Sequence, residues 1–346
     1  MSLFHSPRRQ FIKKTFLFLG SLAGANSTGR ASRPAEHAAR TTKPSLPQHS
    51  VANEAEALRS SEAKSTEPFV FDAHLHCPSE NGKIWQWHPV TKTFQDFAGY
   101  LDKTGVDRGI INSVRSQLAK NPAEFIEGNR EVARYVEAYD GRFVGACVVN
   151  PLFIDESLRE IEECRKRFGF VWVGELCNYT VPYEYTVKEF ELLVEKTVEL
   201  GMILDVHTEL EEMEYIIEKF PEATLVFPHF GDGREYDHIW KRIELVARND
   251  NCYLDTSGYG HDRMGMLEYA VEKIGPDRVL FGSDFSINDP STVIARIKNA
   301  FLSEDQKRKV FSENLICLLY TSDAADESSR GVGGGVGGGW WCWGGG

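Results

Sequence analysis

The strongest constraint on this chain is a regular alternation of two sequence patterns across the 250 residues from Glu67 to Ile316. Short apolar runs fit buried strands: Phe69–His76, Arg108–Ser113, Phe143–Val149, Val171–Leu176, Met202–His207, Thr224–His229, Cys252–Asp255 and Val279–Ser283. Between them lie amphipathic stretches. In 210–220, for example, Met213, Ile216, Ile217 and Phe220 fall at i, i+3, i+4 and i+7 and form one apolar helical stripe. Eight strands alternating with helices over this length predict a (β/α)8 TIM barrel, with an open doubly wound sheet as the alternative.

In such a barrel, functional groups collect where strands end and the following loops begin. His74 and His76 close the first run, His207 the fifth and His229 the sixth, while Asp284 follows the eighth. All five are expected at one mouth. Side chains alternate along a strand, so His74 and His76 share a face, about 6 to 7 Å apart. Taken alone, that pair fits either a metal site or two hydrogen-bonded strand-end histidines.

The elements Asp72-Ala73-His74-Leu75-His76, Val206-His207, Pro228-His229-Phe230-Gly231 and Gly282-Ser283-Asp284 together resemble the amidohydrolase superfamily. Within it, the chain is similar to the amidohydrolase-related group of metal-dependent hydrolases and decarboxylases. The resemblance spans about Val70 to Ile316. It implies that His74, His76 and His207 bind a metal, with Asp284 as carboxylate ligand and proton acceptor and His229 orienting or polarising the substrate. Three imidazoles and a carboxylate suit Zn²⁺ first, then Mn²⁺ or Fe²⁺. One ion is expected rather than two.

Further residues extend this expectation. Asp72, two positions before His74, is expected on the same face and deeper, either orienting a ligand histidine or paired within the barrel. Glu175 falls near the end of the fourth run, where two-metal relatives such as the TatD-like nucleases carry a Gly-Glu element; it is a candidate for a second metal or a substrate contact. Trp85 and Trp87, in the loop after the first strand, are candidates for an aromatic lid. Arg115 and Tyr179 are candidate substrate contacts. At 285–286 stands Phe-Ser, where relatives often carry proline.

The ends differ from the barrel segment. Residues 1–25 combine Arg8-Arg9-Gln10-Phe11 and two lysines with a short apolar run and Ala23-Gly24-Ala25, resembling a twin-arginine export signal. The apolar run is short of the roughly 20 residues that span a bilayer. Residues 26–66, rich in Ser, Ala, Thr and Pro, read as a disordered linker. The segment Cys317–Gly346 begins like a translated sequencing-library adapter and ends in glycines, so it is expected to be a non-native tail.

The chain carries a net charge of −12. Setting aside four basic residues in the leader, and Arg330 against Asp323, Asp326 and Glu327 in the tail, leaves −14. Such a surface argues against nucleic-acid and anionic-membrane partners. Cys77, Cys147, Cys164, Cys177 and Cys252 are odd in number and irregularly spaced, and read as buried thiols, with a Cys77–Cys177 bridge a minor alternative.

The resulting expectation is an exported, periplasmic or extracellular metal-dependent hydrolase acting on an amide, ester or lactone bond of a small molecule. No stable membrane association is expected after signal cleavage, and homo-oligomer formation is left open. A decarboxylase on the same scaffold is the alternative; a TatD-like phosphodiesterase and a non-catalytic metal-binding protein rank below it.

Overall fold

The computed structural model describes residues 67–86, 88–231 and 236–329, excluding the side chains of 322–329. The expected leader and linker, the glycine-rich part of the tail, and Trp87 lie outside the described residues. Among the described residues, no helix is long and apolar enough to cross a membrane.

Eight strands follow one another around a single sheet in chain order: β1 (Phe71–Cys77), β2 (Arg108–Ser113), β3 (Phe143–Cys147), β4 (Trp172–Cys177), β5 (Ile203–His207), β6 (Leu225–Phe227), β7 (Cys252–Asp255) and β8 (Val279–Leu280). Every neighbouring pair is parallel. The ring closes through Ala73 N–H donating to Phe281 O at 2.8 Å and Asp284 N–H donating to His74 O at 3.0 Å. This is a (β/α)8 TIM barrel.

Strand alternation builds two apolar layers. Phe71, Ile110, Ala146, Trp172, Ile203, Val226 and Leu280 form a cluster inside the barrel. Their chain neighbours Ile111, Cys147, Val173, Leu204, Leu225 and Val279 join the larger core beneath the helices. Strands buried on both faces have to be apolar on both. The main covering helices are α1 (Phe94–Thr104), α2 (Pro122–Ala138), α3 (Ile154–Phe168), α4 (Lys188–Glu199), α5 (Leu210–Lys219), α6 (Tyr236–Ala247), α7 (Met266–Ile274) and α8 (Pro290–Lys298). In α5, the predicted stripe of Met213, Ile216 and Ile217 is buried. The terminal helix runs from Asn314 through the expected boundary at Ile316 to Ser329, and Leu315 and Leu318 join the cluster inside the barrel. The five barrel cysteines are buried and unbridged.

Two strands are shorter than their sequence suggests. β6 stops at Phe227 because Pro228 has no N–H to continue the ladder, and His229 then takes a left-handed φ of 65°. β8 pairs only over Val279–Leu280, and Asp284 turns with φ 60°.

The register shifts within Asp72–Leu75 and within Val173–Leu176, as at β-bulges. The second shift sets Glu175 three residues after the inward-facing Trp172 instead of two or four, with Gly174 between Val173 and Glu175. Gly174 has φ 133°, and a Cβ there would lie 2.2 Å from Asp205 O on β5. Gly174→Ala should therefore destabilise the barrel by about 3 kcal/mol, read as a lower urea midpoint; an unchanged midpoint would show that β4 does not need this close approach.

Candidate metal centre

β1 brings two fully buried imidazoles together, with His74 Nε2 and His76 Nε2 3.0 Å apart. The other ring nitrogens face acceptors: His74 Nδ1 lies 3.0 Å from Asp255 Oδ2 and His76 Nδ1 lies 2.9 Å from Asn112 Oδ1. Both Nδ1 atoms are therefore donors. In the neutral rings both Nε2 lone pairs converge, and they repel unless a proton or a metal cation lies between them. Glu175 Oε2 stands 3.5 and 3.6 Å from the two Nε2 atoms, and Asp284 Oδ1 stands 3.7 and 3.1 Å away.

The other oxygen of Glu175 meets a second pair. His207 Nδ1 is 3.0 Å from Glu175 Oε1, and His229 Nε2 is 3.9 Å from the same oxygen. The expected ligand set joined His207 to His74 and His76 and left His229 for the substrate. In the fold, His207 and His229 share Glu175 Oε1, their ring centroids 4.9 Å apart. Glu175 thus lies between two histidine pairs.

The tautomer of His229 follows from its neighbours. Ser257 donates its hydroxyl to Asp255 Oδ1 and lies 2.9 Å from His229 Nδ1. With that hydroxyl proton committed, Nδ1–H of His229 donates to Ser257, and Nε2 presents a lone pair to the site. Burial first of all, together with the nearby His207, lowers the His229 pKa below its usual value. The imidazolium needed for donation from Nε2, the substrate-polarising role expected from sequence, is thereby disfavoured.

Asp72 departs from the expected face. The shift between Asp72 and Leu75 reverses the alternation, so its Oδ1 accepts the backbone N–H groups of His74 at 2.9 Å and Ser283 at 3.0 Å, tying β1 to the chain after β8. Its carboxyl does not orient a ligand ring. Burial raises its pKa to about 7, outweighing those hydrogen bonds. Asp255 is the carboxylate that meets the His74 ring. Sequence reasoning missed Asp255 and Asn112, although both lie at or near strand ends, where the rule that selected the histidines also applies.

Trp85 and Tyr179 do reach the centre. The Trp85 ring stacks on His76 at 5.1 Å and 21°, and its Nε1 is buried without a hydrogen-bond partner. Tyr179 lies 4.9 Å from His207 and 6.4 Å from Trp85. Arg115, a candidate substrate contact, is engaged elsewhere. Its Nη1 lies 3.0 Å from Oε1 of the buried Glu131, which a substrate carboxylate would have to displace.

Burial disfavours charge on His74, Glu175 and Asp255, yet their pairing overrides it. Glu175 and Asp255 raise the His74 pKa well above its usual value despite burial. Glu175 is held well below the usual carboxylate range, the histidines outweighing its own burial, and Asp255 is lowered in the same way. Ionised carboxylates facing imidazole lone pairs form a donor set that fits a divalent transition metal. His74, His76 and Glu175, and likewise Glu175, His207 and His229, are close enough to hold one.

Fold and donor set together define an amidohydrolase-type barrel with a metal-binding mouth. The chain belongs to the amidohydrolase family, whose model matches residues 71–314. It is 24% identical over 259 residues to a gamma-resorcylate decarboxylase of Polaromonas sp. strain JS666, covering 59% of this chain and 76% of that protein. Among solved structures it resembles 5-carboxyvanillate decarboxylase from Sphingomonas paucimobilis, with TM-score 0.56, 16% identity, and coverage of 73% of this chain and 99% of that one. A dihydroxybenzoic acid decarboxylase from Polaromonas sp. JS666, solved with manganese and the inhibitor 2-nitroresorcinol, gives TM-score 0.59 and 17% identity, covering 75% and 99%. At these identities the structural likeness speaks for the fold.

Asp255→Asn should weaken metal binding by about 10- to 100-fold, read by titrating the metal-free protein; unchanged affinity would remove Asp255 from the centre. A second expectation concerns His261, buried after β7, whose pKa burial lowers from 6.5 to about 4. Because the unfolded chain takes up that proton first, its contribution is complete above pH 6.5 and is lost as pH falls toward 4. The loss reaches about 3 kcal/mol. In metal-free protein, His261→Gln should flatten that part of the stability profile, and an identical slope in both proteins would contradict it.

Proposed function

We propose that this protein is a metal-dependent decarboxylase acting on a small aromatic carboxylate. The observation that carries the reading is the aromatic wall formed by Trp85 over His76 with Tyr179 beside it, set directly against the donor cluster. A planar ring can pack against such faces at the edge of the cluster. Two of the matched relatives, a gamma-resorcylate decarboxylase and a 5-carboxyvanillate decarboxylase, support the same chemistry. This reading replaces the hydrolase expected first from sequence with its stated alternative.

His74, His76 and Asp284, with Glu175, would hold the cation; manganese, present in a solved relative, stands beside zinc as the candidate. When bound, it supplies positive charge that draws in the anionic oxygens of the substrate. The protein does the rest. His229 Nε2, an acceptor, takes a hydrogen bond from a ring hydroxyl. Asp284 Oδ2 accepts from Asn288 Nδ2 at 2.9 Å and has a second lone pair on which to hold a proton. That proton passes to the ring carbon bearing the carboxylate. The carbon–carbon bonding pair then returns to the ring as carbon dioxide leaves, and Asp284 recovers a proton from water. Trp85, stacked over His76, limits water at the reacting carbon.

One observation favours a second reading. Glu175, with one oxygen toward each histidine pair, suits a carboxylate shared by two cations, an arrangement that supports hydrolysis. Export through the leader remains a proposal carried by sequence alone.

Manganese-loaded protein should release carbon dioxide from one or more hydroxybenzoates, and Trp85→Ala should lower kcat/KM by about 10- to 100-fold. Acid release from lactones or esters, with no carbon dioxide from any aromatic acid, would assign the hydrolase instead.

A further inference from the structure

Parallel strands that end at different heights leave backbone carbonyls without ladder partners, and when buried these need other donors. That situation arises directly behind the second histidine pair. β5 ends at His207 and β6 at Phe227, so the carbonyls of Thr208, Pro228 and His229 lie beyond the paired sheet. Arg242, on α6, reaches all three. Its Nη1 donates to Thr208 O at 2.5 Å, and its Nη2 donates to Pro228 O at 2.9 Å and His229 O at 3.3 Å. The side chain is fully buried.

We infer that Arg242 is a positioning residue of the metal centre: its guanidinium ties the residue after His207 to His229 itself and so sets the separation of these two imidazoles. The inference rests on the second reading above, in which Glu175 is shared between two cations and His207 and His229 face one of them. A planar fork with several fixed donors can span two strand ends. A lysine ammonium is a compact charge and a glutamine amide has two donors on one nitrogen, so neither reproduces the span. Tyr185 performs a related task one strand earlier, its hydroxyl lying 3.2 Å from Leu176 O and 2.5 Å from His207 O. The His229 backbone N–H is held from the other side by Asp255 Oδ1 at 3.1 Å. The left-handed turn at His229 is thus fixed at its N–H by Asp255 and at its C=O by Arg242.

The test is a Co²⁺ titration of metal-free wild type, Arg242→Gln and Arg242→Lys, followed by visible absorption and calorimetry, with thermal melts alongside. Arg242→Gln should bind Co²⁺ about 10- to 100-fold more weakly, with a shifted visible band, and Arg242→Lys should fall between it and wild type. Wild-type affinity and an unchanged band in Arg242→Gln, whatever its melting temperature, would overturn the inference. Failure of both variants to fold would also overturn it, assigning Arg242 to the stability of the barrel. Failure of the wild type to bind Co²⁺ would instead defeat the metal-centre reading.

Discussion

The structure turns on an electrostatic conflict at the end of β1. His74 and His76 direct their Nε2 atoms at each other across 3.0 Å, with both Nδ1 atoms already committed to Asp255 and Asn112. Neutral rings so arranged repel, and the carboxylates around them are ionised. In a buried site this is costly unless positive charge is present. A proton on His74 relieves part of the conflict, and a divalent cation relieves it with several donors at once.

The backbone around the centre is shaped to bring this conflict about. Register shifts in β1 and β4 change which side chains face inward, turning Asp72 toward backbone N–H groups and Glu175 toward the histidines. Left-handed turns at His229 and Asp284 follow the paired parts of their strands. Each departure is answered by a fixed partner: Gly174 where β4 nears Asp205, Asp72 between β1 and the chain after β8, Arg242 behind His207 and His229. Irregular backbone is thus concentrated where the side chains must converge.

Much of this was legible in the sequence because the barrel imposes a simple rule: a polar residue at the end of an apolar run lands at the mouth. The rule found His74, His76, His207, His229 and Asp284 without any contact information. It failed where strand periodicity fails. Asp72 was placed on the wrong face because a bulge between it and Leu75 leaves no mark in an apolar run. The same rule also reaches Asp255 and Asn112 at or near the ends of β7 and β2, but a lone carboxylate or amide there carries no ligand motif. Which donors pair with which was beyond the pattern altogether. The division into two histidine pairs about Glu175 depends on the barrel's circular geometry, and Arg115 is committed to Glu131 by a contact sixteen positions away in sequence.

The central claim, that this mouth holds a divalent transition metal, is tested most directly by metal analysis of the purified protein after expression with added manganese and zinc. The account predicts about one or two equivalents per chain, reduced to a trace when His74 and His76 are both replaced by alanine. A wild-type protein holding no more metal than that double variant would contradict it.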